Sequence, residues 1–321
     1  MNGEELLSLY QQGNKDFSRA NLSQVQIIQV ELENVDLSRT ELDWANFSGS
    51  NLLGANLSRA DLAHAQLIKT NLVKVNFKGA DLNHADLSWA NLEDASLIRV
   101  DLSNANLSQS FLKNADLSDT DLSGANLTRA NLSGANFSRA NLSGANLTGI
   151  DLSGADLSRA DLSGADLSGA DLTQVNFNKA DLSGTNLRQA NLQQATLQGA
   201  NLRSANLRSA VLTGAVLKDN GSSSLATISE LNLAGFNQPS KIDLCSANLS
   251  ETNLSGVCLK NANFRFALLY QTNMERANLS NASLIDVYLR GANLRGANLQ
   301  KSVLSNINWK GAVMPDGSIH P

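Results

Sequence analysis

Histidine, cysteine, proline and aromatic side chains are scarce in this chain. There are three His, two Cys and three Pro in 321 residues, and Phe, Trp and Tyr together make 5%. So few His and Cys leave little from which to build a metal centre. No apolar run reaches 18 residues, which excludes a membrane-spanning helix, and the opening MNGEELLSLYQQGN has no apolar signal core, so a cytoplasmic location is the default. The net charge is −5 and charged residues make 17%. That balance suits neither a basic nucleic-acid binder nor a disordered acidic tail.

What the chain does have is repetition. LSGADLSRADLSGADLSGADL, from Leu152 to Leu172, returns to Leu every five residues. Five suits neither regular structure. On an α-helix each Leu would lie about 140° round from the last. In a straight strand successive Leu would face opposite sides, because five is odd. The chain must therefore turn once per repeat. Ala155 and Leu157 share one side of a short strand, Asp156 points the other way, and Ser-Gly or Ser-Arg makes the corner. Such a chain is a solenoid that buries Ala and Leu and exposes Asp or Asn, Ser and the variable fifth residue.

The register is tight. From Phe17 to Leu217 there are 41 centres in unbroken steps of five, every one Leu, Phe or Ile, and a second series of 15 runs from Leu244 to Met314. The variable residues indicate the number of sides. Arg19, Arg39, Arg59, Arg99, Arg139, Arg159 and Lys179 are separated by 20 or its multiples, as are Phe17, Phe77, Phe137 and Phe177. Four sides and about 20 residues per coil follow, stacked as short parallel strands about 4.8 Å apart.

The units ANLSG, ADLSG and ANFSR resemble those of the pentapeptide repeat family, over roughly residues 15–314. The resemblance implies an all-β fold, a right-handed quadrilateral β-helix, here with a short N-terminal capping helix. The opening EELLSLYQQGNKDFSRANL and the closing MPDGSIHP resemble the ends of cyanobacterial members.

Five segments are expected: a helical cap over 1–14, a first block of repeats over 15–218, an interruption over 219–241, a second block over 242–314 and a closing cap over 315–321. Residues 3–12 have helix formers, early acids Glu4 and Glu5, and Leu6, Leu7 and Tyr10 at helical spacing, with Gly13 to end them. Trp309, Met314 and the Pro315–Gly317 turn close the other end. The interruption has two readings. One is a continuous solenoid with two single-residue slips, its extra centres at Ile228 and Leu233; the other is a projecting loop. Cys245 and Cys258 stand outward and 13 apart, so they do not stack and are expected as free thiols.

The chemistry is thin. An interior of Ala and Leu leaves no substrate pocket, no Ser–His–Asp set is suggested, and the Ser-Gly-Ala runs lack the Lys-Ser/Thr of a phosphate loop. No catalytic residue, cofactor or metal is expected, and no enzyme activity. Function falls to the outer wall, as a non-enzymatic scaffold for an unidentified protein partner, with no direct nucleic-acid or membrane binding. Two candidate interaction sites stand out: the column Trp44, His64 and His84, and Phe236 in the interruption. The ordinary readings are wall stacking for the first and burial in a slipped coil for the second. The Arg column lies just before an acidic column of Glu41, Asp61, Asp81, Asp101, Asp121, Asp161 and Asp181. The two are expected to neutralise each other at the corner, with a polar recognition strip as the alternative. The resemblance also implies a second function, since some family members mimic B-form DNA and bind DNA gyrase. That needs a strongly negative face, whereas residues 182–218 have no acid and carry Arg188, Arg203, Arg208 and Lys218.

Overall fold

The structure is a computed structural model and describes residues 1–212, 215 and 244–321. They form two compact units, Met1–Asp161 and Leu162–Pro321.

The repeat Ala60–His64 shows why five residues close a side. Ala60 N–H donates to Leu57 O (3.2 Å) and makes the corner, while Asp61 N–H donates back to Thr40 O (2.9 Å). Leu62 and His64 N–H donate forward, to Asp81 O (2.7 Å) and Asn83 O (2.9 Å). The remaining N–H, of Ala63, donates to the Asp61 side chain (Oδ1, 3.1 Å). Every backbone donor of the repeat is thereby paired. Parallel bridges join residues twenty apart, from Asp16 with Asp36 to Asn141 with Asp161 in the first unit. We call each such step a rung. Because two of every five residues are spent on a corner, most sides are single bridges rather than strands.

The Asp or Asn before each centre is thus a structural residue, holding the turn two residues on. Asn adds a second bond, since its amide reaches the rung below: Asn76 Nδ2 to Asn56 Oδ1 (3.1 Å), Asn141 Nδ2 to Asp121 Oδ1 (3.0 Å). The fifth residue is left-handed, at φ 58° for Arg59, 60° for His64 and 68° for Gly154. Among the described residues with positive φ there is no Val, Ile or Thr. Branching at Cβ makes that conformation costly.

The core is the stack of centres and their partners two residues earlier. Phe47, Phe77, Phe137 and Leu102 are wholly buried, and Ala155 is 1% exposed. Hydroxyls that replace Ala are satisfied inside: Thr70 Oγ1 donates to Phe47 O (3.1 Å) and Thr120 Oγ1 to Leu97 O (2.6 Å). Ala155→Leu should overfill this interior and cost about 1–3 kcal/mol. Asp156→Asn should shift stability by less than about 0.5 kcal/mol, because either side chain accepts from the turn, as Asp156 does from Ser158 (2.9 Å) and Asn46 from Ser48 (3.0 Å). Equal melting temperatures for the two variants would refute the inward and outward assignment.

In the first unit, α1 (Gly3–Gln11) begins with Asn2, whose side chain accepts from Glu5 N (2.9 Å). It is one residue shorter than the sequence suggests. Leu6 is wholly buried, and Tyr10 Oη donates to Glu33 O (3.1 Å). In the second unit, β1 (Ser283–Ile285) pairs in parallel with β2 (Val303–Ser305). The chain then folds back, Val313 pairing antiparallel with Ile319 and His320 N–H donating to Ala312 O (2.8 Å). This hairpin covers less than the closing cap expected there. Val303 and Leu304 stay 51% and 47% exposed, because the fold-back lies along Gly311–Val313.

Asn206 pairs directly with Asn248, and Val211 with Asn253. Leu207 N–H donates to Asn248 O (2.7 Å), so these stretches are one rung apart, where the continuous slipped reading requires two. The segment 219–241 itself lies outside the described residues.

Candidate functional site

Trp44, His64 and His84 occupy one corner on successive rungs, each left-handed at φ 59–60°. The Trp44 and His64 rings stack at 4.3 Å and 15°, and His84 meets His64 edge-on at 5.1 Å and 87°. Trp44 is 56% exposed. The structure brings these three expected residues together as one continuous stack. Phe236 lies outside the described residues. Among the described residues no group of three His, Cys, Asp or Glu is placed to hold a metal ion. Neither Cys245 nor Cys258 is in a disulfide among the described residues.

A second surface escaped the sequence reading. Phe266, Leu268, Tyr270 and Tyr288 are 49%, 41%, 38% and 54% exposed. Leu268 and Tyr288 are bridged neighbours in one column. The Arg265 guanidinium lies 5.6 Å from the Phe266 ring centre. Leu268 and Tyr288 hold the place of the turn-forming Asp or Asn, so their side chains accept nothing from the N–H of Tyr270 and Arg290. The two positions give up a turn bond and expose apolar surface as well. Local departures of this kind mark functional sites. The signal was in the sequence, as an apolar residue where the repeat asks for Asp or Asn.

The charges do not pair as expected. Glu41, Asp61, Asp81, Asp101 and Asp121 are bridged on consecutive rungs. The Asp61, Asp81, Asp101 and Asp121 side chains each accept from their own turns (2.9–3.1 Å). Arg19, Arg39, Arg59 and Arg99 make no ion pair among the described residues. The pair that forms lies within the column: Arg139 Nε and Nη2 donate to Asp119 Oδ1 and Oδ2 (2.6 and 2.7 Å). The bound Arg139 guanidinium holds the Asp119 carboxyl below the usual carboxylate range, and Arg99 adds a weaker pull.

Stacked five-residue repeats, a filled interior and chemistry confined to the walls define a repeat solenoid. The family model for pentapeptide repeats matches in overlapping segments, from 16–54 to 180–219 and from 240–265 to 292–316. The chain belongs to the pentapeptide repeat family. Among solved structures it is similar to HetL of Nostoc sp. strain PCC 7120, a pentapeptide repeat protein involved in heterocyst differentiation regulation (28% identity, 100% of both chains, TM-score 0.26). It is also similar to Rfr23 of Cyanothece 51142 (29% identity, 38% of this chain and 93% of that one, TM-score 0.27). A third is QnrB1, a plasmid-mediated fluoroquinolone resistance protein (22% identity, 63% and 92%, TM-score 0.42). No curated protein matches the sequence. No helix among the described residues is long and apolar enough to cross a membrane.

Proposed function

We propose that this protein is a non-enzymatic protein–protein interaction scaffold: a right-handed, four-sided β-helix of about 20 residues per coil that acts in the cytoplasm. A regulatory role in a cyanobacterium is in keeping with its terminal sequences. The observation that carries the reading is the pair Leu268 and Tyr288, exposed apolar residues side by side on neighbouring rungs where the repeat mostly holds Asn or Asp. With Phe266, Tyr270 and Arg265 they make the composition of an interface centre, aromatic anchors with an Arg. Trp44, stacked on His64, is the second anchor.

The protein serves as bait in lysate of its source organism. Leu268→Asn with Tyr288→Asn should weaken capture of the partner by about 2 kcal/mol or more. The melting temperature should hold or rise, because Asn restores the turn bond. Trp44→Ala should weaken capture at unchanged stability. A second reading, gyrase binding by DNA mimicry, draws on the acidic ladder Glu41 to Asp121. Capture that survives all three replacements, together with gyrase inhibition in a supercoiling assay that charge reversal at Asp61, Asp81, Asp101 and Asp121 abolishes, would put mimicry in its place.

A further inference from the structure

The first unit carries a cationic groove that the interaction surfaces above do not use. Arg19, Arg39 and Arg59 stand on three consecutive rungs of one corner, linked by Arg19 N–H to Ser38 O (2.9 Å) and Arg39 N–H to Ser58 O (2.9 Å). The next rung has Gly79, and the one after it Arg99. Together with Lys78 these Arg side chains line an open groove of about 670 Å³, whose remaining lining is Ser18, Ser38, Ser58, Asn76 and Gly79. All five cations are exposed. None makes an ion pair or side-chain hydrogen bond among the described residues.

Like charges a rung apart, about 4.8 Å, repel. The same column shows the cure on its next rungs, where Asp119 takes Arg139 by both oxygens (2.6 and 2.7 Å). With both oxygens engaged, Asp119 leaves Arg99 without a hydrogen bond. From Arg19 to Arg99 the groove therefore presents guanidinium forks along about 19 Å, four strand spacings, with no carboxylate among the described residues bonded to them.

Its chemistry narrows the ligand. The lining holds no aromatic residue, so bases have no stacking platform. An open groove cannot desolvate a small anion. A run of carboxylates on an extended chain suits the groove in charge: guanidinium binds carboxylate in a two-pronged way, and long flexible Arg side chains take up the difference between about 6.7 Å for alternate strand residues and about 4.8 Å for the rungs. We propose that the groove docks an extended acidic segment of a protein partner along the Arg19–Arg99 corner. This adds to the scaffold reading a site on another corner, and is tested without reference to the aromatic surfaces.

The test is fluorescence anisotropy of the whole protein with a labelled octaglutamate peptide. Saturable binding that weakens with salt is expected. Arg39→Glu with Arg59→Glu should raise Kd about tenfold or more. Lys69→Glu with Lys74→Glu, the same charge change on other corners, should leave Kd within about twofold. Gly79→Glu should block the peptide, with a small drop in melting temperature from a side chain at φ 67°. It sets a carboxylate between Arg59 and Arg99 as Asp119 stands between Arg99 and Arg139, and acids are accommodated at such corners, with φ 58° at Asp119 and 56° at Asp94. No saturable binding, equal losses in the two double variants, or tighter binding of a thymidine oligonucleotide than of the peptide would each overturn the proposal.

Discussion

Phe77→Ala should cost this protein about 3–5 kcal/mol. Phe77 is wholly buried, and its N–H donates to Ser96 O (2.8 Å). The ring is stacked between rungs whose spacing is set by backbone hydrogen bonds on every side, so neighbouring rungs cannot collapse into the space it leaves. A cavity that cannot relax lies at the high end of the range. Urea unfolding monitored by circular dichroism measures the loss. Hydrogen exchange should locate it first at the rungs around residue 77, because each rung is held by its neighbours alone. A loss under about 1 kcal/mol would mean that the interior is not close-packed at this point.

Leu102→Asp should be more damaging still, by about 4 kcal/mol or more at neutral pH. Leu102 is wholly buried in a column of Leu, and the buried hydroxyls nearby are already committed to backbone carbonyls. A carboxylate there has no counter-charge. Burial raises its folded-state pKa above the unfolded value, so the neutral form is the one the fold tolerates. The deficit should therefore shrink as pH falls from the raised folded pKa towards the unfolded one, and stay level at its largest above the raised folded pKa. Unfolding curves for the variant and its parent at two pH values check the sign. A deficit independent of pH would show that the side chain had escaped to solvent.

Much of this architecture was readable because one period governs it. Leu at steps of five places the core, and basic residues at steps of twenty name the partners that the structure joins, such as Asp116 with Asn136. Other features were not readable by periodicity. Asp61 was correctly set outward, but its work is to accept from Ala63 (3.1 Å). That is a three-residue interaction, visible only when the donors of one repeat are counted. The missed turn bond is also why the Arg and Asp columns were expected to neutralise each other: one oxygen of each of these carboxylates is already taken by its own turn. The Trp44–His64–His84 stack was legible from spacing. The Leu268–Tyr288 surface was passed over, because a pattern read for its regularity hides the few positions that break it.

The left-handed fifth residue has a further consequence, for which neighbours the walls admit. A conformation that rejects branching at Cβ rejects Val, Ile and Thr, and these are the residues most prone to knit the sides of separate chains into sheets. The handedness of the corners thus screens the surface against lateral clumping before any side-chain chemistry is chosen. Aromatic residues pass that screen, since their bulk begins beyond Cβ. Trp44, Trp89 and Phe266 sit at such corners, with φ of 59°, 61° and 61°. Among the described residues, apolar adhesion at a corner is therefore left to flat rings, a small alphabet in which a partner can be recognised without the wall becoming sticky along its length.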